Sequence, residues 1–189
     1  MVEEKIDIEG LIVFNHETFC DHRGYFMELY NELRLNKAIH EDVSFVQDNI
    51  SNSHKNVVRG LHFQAPPFAQ GKLVKVLKGK IMDIVVDIRK ESVTYGKHLK
   101  IELSEQNHTQ LWIPEGFAHG YYVMTQTAEI AYKCSDIYHP EDEQGIRWDD
   151  SDIGIEWPGT EPVLSERDIN LPILHSLNLN QDFFIEEKK

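Results

Sequence analysis

Apolar residues along this chain recur mostly every second position, in short runs closed by glycine, proline or polar clusters, the period of strands with one buried face. Leu11-Ile12-Val13-Phe14 predicts a short first strand. The segment Asp21 to Tyr30 opens on a turn signal at Arg23-Gly24 and then sets Phe26, Glu28 and Tyr30 against Tyr25, Met27 and Leu29, predicting a half-buried strand. Asn31 to His40 is the best helix, with Asn31 as its cap and Leu33, Leu35 and Ile39 only loosely periodic. Phe45 to Ile50 is strand-like despite three polar residues in a row, and Ser51 to Asn56 reads as a polar loop.

The strongest strand patterns follow. Ile81 to Ile88 is one, and Leu99 to Leu103 is another, with Gln110 to Ile113 expected as its partner across the turn Ser104-Glu105-Gln106-Asn107. Tyr121 to Met124 and Ala128 to Lys133 predict a hairpin around Thr125-Gln126-Thr127. From Asp136 to Pro162 the chain turns acidic, aromatic and turn-rich, as ordered loops against one face would, and the tail after Leu171 is expected to fray. No repeat or linker divides the chain. The expectation is a single all-β domain spanning 1–189, a β-sandwich or jelly roll with a few short helices.

Composition narrows the function classes. A chain of 189 residues can bury a real core unaided. The formal net charge of -13 argues against nucleic acid or an anionic membrane as partner, and any anionic ligand needs a local cluster of Arg and Lys. Cys20 and Cys134 read as small buried residues in a reducing compartment, not as a disulfide framework. The start lacks a basic stretch followed by an apolar run, and nothing approaches the roughly 18 apolar residues of a membrane helix. A soluble cytoplasmic protein is expected.

One stretch breaks the strand pattern with chemistry. Arg59-Gly60-Leu61-His62-Phe63-Gln64, followed by Gln70-Gly71-Lys72-Leu73-Val74-Lys75-Val76, places a histidine, amides and cations among apolar neighbours. Such placement is costly unless the groups are paired or used. Gly60 and Gly71 permit close backbone approach. The segment is expected to form one wall of a catalytic pocket.

Pro114-Glu115-Gly116-Phe117-Ala118-His119 resembles the second signature of cupin jelly rolls. At the first signature the chain has His62-Phe63-Gln64, so the second histidine is gone, and Gln70 is nearest the glutamate position. A transition metal wants three or four donors, and only His62 and His119 remain, so no metal is expected, and the chemistry implied by the wider resemblance below requires no cofactor. Asp21-His22-Arg23-Gly24-Tyr25-Phe26, Gln47-Asp48-Asn49, Val58 to Gln64, Gln70-Gly71-Lys72-Leu73, Trp112 to Gly120, Tyr132-Lys133, Tyr138-His139-Pro140-Glu141 and Leu164 to Asp168 occur in this order. Together they resemble the dTDP-4-dehydrorhamnose 3,5-epimerase family, metal-free cupins, over roughly residues 10 to 175.

The chemistry of that family suits these residue types. A C4 ketone acidifies the C–H bonds at C3 and C5, so epimerisation needs a base on one face, an acid on the other and a stabilised enolate. Histidine titrates near 6.5 and suits the base, with a carboxylate to fix its tautomer. By resemblance His62 is the base, Asp168 its partner, Tyr132 the proton donor and Lys72 the group beside the enolate oxygen. The resemblance also assigns substrate contacts to Arg23, Phe26, Glu28, Gln47, Asp48, Asn49, Arg59, His119, Tyr138, Glu143 and Arg167, with Tyr138 stacking on thymine and arginines on the diphosphate. It implies a homodimer in which the strand carrying Arg23, Phe26 and Glu28 enters the neighbour's site.

Each residue has a structural alternative. His62 alone could be a hydrogen-bonded core histidine, Tyr132 a core tyrosine and Asp168 a helix cap. Arg59 and Lys72 could be surface cations beside Asp83 or Glu129. Asp149-Asp150 reads as a solvated face, and His22, His54, His98, His108 and His139 as surface groups. The functional alternatives are a single-site C3 or C5 epimerase, a 3,4-ketoisomerase, a non-catalytic sugar-nucleotide-binding cupin, and a metal-dependent cupin weakened by Gln64.

Overall fold

The computed structural model describes residues 2–179. In chain order the strands are β1 (Val2–Lys5), β2 (Ile12–Asn15), β3 (Phe19–Asp21) and β4 (Gly24–Phe26), then helix α1 (Glu32–Ile39). Strands β5 (Gln47–His54), β6 (Val58–Gln64), β7 (Lys72–Lys78), β8 (Lys80–Asp87) and β9 (His98–Ser104) follow. Next come β10 (Gln110–Ile113), β11 (Phe117–Val123), β12 (Thr127–Cys134), β13 (Glu143–Gly145) and the single-turn helix α2 (Glu166–Ile169). Two antiparallel sheets face each other: β1-β2-β10-β7-β12-β5 and β13-β6-β11-β8-β9, with β3-β4 a separate hairpin. The expected all-β cupin-like sandwich is what the chain forms.

Its core has three parts. Between the sheets, Val74, Val76, Leu111, Ile113 and Ile130 meet Ile81, Val85, Leu103, Phe117 and Val123. Outside the five-stranded sheet, Leu61, Phe63, Ile84 and Val86 lie under Ile146, Ile153 and Leu174 from the long C-terminal loops. Outside the six-stranded sheet, α1 buries Leu35, Ala38 and Ile39 against Phe14, Leu73 and Trp112. Covering both faces explains why β8 reads as a nearly continuous apolar run. Helix α1 starts where expected: the Asn31 side chain accepts the Arg34 N–H at 3.2 Å, and His40 closes it in the left-handed region.

Several local expectations fail for one reason: alternation names a strand's buried face but not its neighbour. β10 does not pair with β9; it lies between β2 and β7 in the other sheet. β11 and β12 form no hairpin. The Thr125 turn carries the chain from the five-stranded to the six-stranded sheet. The polar stretch Ser51 to His54 is not a loop but half of β5, paired with β12 and turning Ser51 and Ser53 inward. The predicted half-buried strand over Asp21 to Tyr30 is instead the short hairpin β3-β4, with Phe19, Tyr25 and Phe26 57–69% exposed. Cys20 is exposed while Cys134 is buried, and both are free thiols. Asp150 is no solvated acid; it is buried and accepts the Leu174 N–H at 2.7 Å. His98, His108 and His139 are half-buried, not surface groups. Glu186 to Lys189 of the tail lie outside the described residues.

Candidate active site

Strands β6 and β11 carry the centre of the site, and glycine lets them approach. A Cβ on Gly60, whose φ is +114, would lie 2.6 Å from the Gly120 Cα. The pairing also shifts register: His119 lies opposite His62, but Tyr121 lies opposite Arg59. Strict alternation would put Arg59 and His62 on opposite faces. The bulge aligns both with His119 and Tyr121.

Each histidine meets a buried carboxylate. His62 Nε2 lies 2.7 Å from Asp168 Oδ1, and His119 Nε2 lies 2.9 Å from Asp83 Oδ2. Asp168 comes from α2, whose cap Ser165 accepts the Asp168 N–H at 3.1 Å. Burial alone would raise the Asp168 pKa, but the His62 bond and charge, then Ser165 and the Gly60 N–H, hold it below the usual carboxylate value. Asp168 is therefore an anion, so His62 Nε2 carries the hydrogen and donates it. Whenever the ring is neutral, its lone pair is then on Nδ1.

Nδ1 points towards Glu143, 3.9 Å from its Oε1. Glu143 lies on β13, which pairs with β6 and places Gly145 opposite His62. It accepts hydrogen bonds from the Tyr138 hydroxyl and from Arg167 Nη1, each at 2.5 Å. Burial opposes its ionisation, yet these two bonds and the His62 charge leave its pKa lowered.

Lys72 and Tyr132 come from the facing sheet, and both feel the Glu143 charge. Burial lowers the Lys72 amine's pKa against the pull of the Cys134, Glu143 and Asp83 charges. Burial likewise raises the Tyr132 phenol, with Arg59 opposing, so at neutral pH the phenol holds its proton. Among the described residues, neither the Lys72 amine nor the Tyr132 hydroxyl has a hydrogen-bond partner in the chain.

The remaining expected residues divide. Arg59 donates through Nε to Ser53 at 2.9 Å, and Asn49 turns inward to the Cys134 thiol at 3.5 Å. Gln47 faces inward too, but its carbonyl is taken by the Tyr138 backbone N–H at 2.8 Å. Asp48 departs from expectation: β5 turns it outward, where it is exposed and pairs with Lys133 at 2.8 Å. Flanked by Gln47 and Asn49, it takes the opposite face. Arg23, 80% exposed, binds Asp21, while Glu28 binds Arg34 at 2.9 Å; with exposed Phe26 they lie on or beside the hairpin, bonded to none of the residues around His62.

Sequence reasoning missed Asp83 as the partner of His119. Its signal was present: a lone carboxylate inside the apolar run of β8 needs a partner. It also missed Tyr121, whose hydroxyl lies 3.0 Å from Ser51 Oγ.

Comparison with known proteins agrees with this geometry. The family model described as dTDP-4-dehydrorhamnose 3,5-epimerase matches residues 5–176. The chain belongs to the dTDP-4-dehydrorhamnose 3,5-epimerase family. An epimerase of that name from Shigella flexneri is 49% identical over 166 residues, 88% of this chain and 92% of the relative. One from Salmonella typhimurium is 46% identical over 182 residues, 96% of this chain and 100% of the relative. A dTDP-6-deoxy-D-glucose-3,5-epimerase from Legionella pneumophila, solved in complex with dTDP-4-keto-L-rhamnose, superposes with TM-score 0.90 at 40% identity, covering 96% of each chain. This chain is thus an isomerase of the epimerase type.

In this epimerase-family chain the positions that match cupin metal ligands are all engaged by the protein. His62 is held by Asp168, His119 by Asp83, and Gln64 and Gln70 by backbone carbonyls. Among the described residues no group of three or more His, Cys, Asp or Glu side chains is arranged to hold a metal ion, and no helix is long and apolar enough to cross a membrane.

Proposed function

We propose that this chain inverts C3 and C5 of dTDP-4-dehydro-6-deoxy-D-glucose, giving dTDP-4-dehydro-L-rhamnose, without metal or cofactor. The observation that carries the reading is the His62–Asp168 pair, 2.7 Å apart, which leaves Nδ1 as a free lone pair in a half-buried site. His62 Nδ1 takes the proton from carbon, and the electron pair moves into the C4 carbonyl as an enolate. Asp168 stabilises the imidazolium, and the Lys72 ammonium faces the developing charge on O4. Tyr132 returns a proton to the other face of the carbanionic carbon, inverting it. The tyrosinate is reprotonated from solvent and His62 loses its proton there. Repetition at the second carbon completes the reaction.

Arg59 and Arg167 are assigned to the diphosphate, Tyr138 to the thymine ring, and Gln47, Asn49, His119 and Glu143 to the walls of the same site. Residues from β5 to α2 contribute, so we take the chain as one catalytic domain. We also assign a homodimer, supported by the exposed aromatic hairpin carrying Arg23 and Phe26, with Glu28 just beyond it. In it the hairpin completes the neighbour's site. Free Cys20 and Cys134 suit a reducing cytoplasm.

The test is solvent exchange. In D2O with chelator present, the dTDP sugar should take up deuterium at both C3 and C5. Uptake at one carbon only would make this a single-site epimerase, and uptake at neither in a folded preparation would overturn the assignment. His62→Asn should abolish turnover and leave dTDP binding largely intact.

A further inference from the structure

Three glutamines from different parts of the chain converge on the backbone of one short strap, residues 136–139. Gln47 on β5 accepts the Tyr138 N–H at 2.8 Å. Gln64 on β6 accepts the His139 N–H at 2.8 Å and donates to the Ile137 carbonyl at 3.0 Å. It also donates to the Phe68 carbonyl, tying the strap to the 65–70 turn. Gln70 donates to the carbonyls of Asp136 and Ile137 at 2.7 and 3.0 Å. The His139 ring stacks on Phe68 with centroids 3.8 Å apart.

A strap with no strand partner among the described residues thus has five backbone hydrogen bonds supplied by side-chain amides. Glutamine suits this use because its amide both donates and accepts without charge. Gln64 is 4% exposed, so all three of its bonds are made away from water, where losing a partner leaves an unsatisfied group. The strap carries one side chain into the site. Tyr138 is 47% exposed, and its hydroxyl donates to Glu143 Oε2, the carboxylate that also receives Arg167 and faces His62.

We propose that Gln64, seconded by Gln70 and Gln47, is a positioning residue for Tyr138, and that this three-amide cradle sets the affinity of the site for the nucleotide rather than the rate of proton transfer. The inference rests on the reading above that Tyr138 faces the nucleotide. On this account Gln64, which stands where other cupins place a metal ligand, orders the binding surface instead.

The test is a double-mutant cycle read with dTDP as ligand by calorimetry, on the intact chain. Gln64→Met removes all three bonds at similar volume. It should weaken dTDP binding about tenfold, the loss expected for releasing one orienting side chain, with kcat at saturating substrate within about threefold of wild type. Tyr138→Ala should weaken binding at least as much, and the Gln64→Met/Tyr138→Ala double variant should bind no more weakly than Tyr138→Ala alone. Gln64→Glu keeps the acceptor for His139 but turns a carboxylate on two carbonyls, and should not restore binding. Additive losses in the double variant, or an unchanged dTDP affinity in Gln64→Met, overturn the inference while leaving the epimerase reading intact. If Gln64→Met does not fold, Gln70→Met replaces it in the same cycle, since Gln70 is half-buried at the turn and its loss opens no core cavity. A wild-type protein that does not bind dTDP overturns both readings together.

Discussion

Asp168→Asn isolates the contribution of one buried charge to the reaction. Asp168 is 4% exposed by side chain and receives His62 Nε2, with Ser165 and the Gly60 N–H also bonded to it. Asparagine has nearly the same shape, so the packing survives while the charge facing the imidazolium disappears. It must also choose an orientation. Its carbonyl can still accept from Nε2, but its amide can instead donate to Nε2, which moves the imidazole proton to Nδ1 and removes the lone pair to which we assign the proton abstraction. A hydrogen bond to a charged group contributes about 1.5–3 kcal/mol. At about 1.4 kcal/mol per tenfold in rate, kcat should fall about 10- to 150-fold from the charge alone, and further if the amide turns. Substrate affinity should change little, because Asp168 acts through His62. Steady-state kinetics beside dTDP titration measure both. There is also a signature in stability. The Asp168 carboxyl sits below its ordinary value of 3.8 in the folded protein, so the unfolded chain binds its proton first as pH falls. Its stabilising contribution is complete above the ordinary value and is lost as pH drops through the depressed one. The difference in urea midpoint between wild type and Asp168→Asn should therefore shrink below pH ~4. A kcat within twofold of wild type would refute the argument that this carboxylate sets the base.

Gly60→Ala should lower stability by at least ~3 kcal/mol, because the new Cβ would meet the Gly120 backbone at 2.6 Å with φ at +114. Thermal unfolding should show a drop of about 6–12 °C, and a change under 2 °C would mean β6 and β11 can separate freely. Lys75→Met addresses a buried amine, 3% exposed and without a hydrogen-bond partner among the described residues, whose pKa burial lowers to about 8. Between about 8 and the ordinary 10.5 the unfolded chain binds the extra proton, so wild-type stability gains from this group as pH rises through that window. Methionine should remove that gain and raise stability at pH 7 by ~1–3 kcal/mol, as sparing an unsatisfied buried donor would. Urea midpoints from pH 7 to 10 check it, and parallel curves for the two proteins would refute it.

How much of this was legible in the residues themselves follows from what is local and what is not. Period-two runs, glycine and proline breaks, and the Asn31 cap are short-range signals, so the all-β sandwich and helix α1 could be read directly. His62, Asp168, Tyr132 and Lys72 could be singled out as candidates too, because an ordered set of motifs resembles a family whose chemistry uses those residue types, and the fold joins His62 to Asp168. What the sequence left open was partnership. Alternation could not say that β9 and β10 belong to different sheets, or that the Thr125 turn crosses between them, since strand pairing is decided by contacts distant in the chain. Nor could it place Asp48 on the outer face beside two inward amides, until β5 was known to run through the polar stretch. Tertiary structure alone supplied the β6 bulge that aligns Arg59 with His62, the burial of Asp83 against His119, and the three glutamines gathered on one strap. A buried polar side chain declares that it needs a partner, and only the fold determines which atom answers.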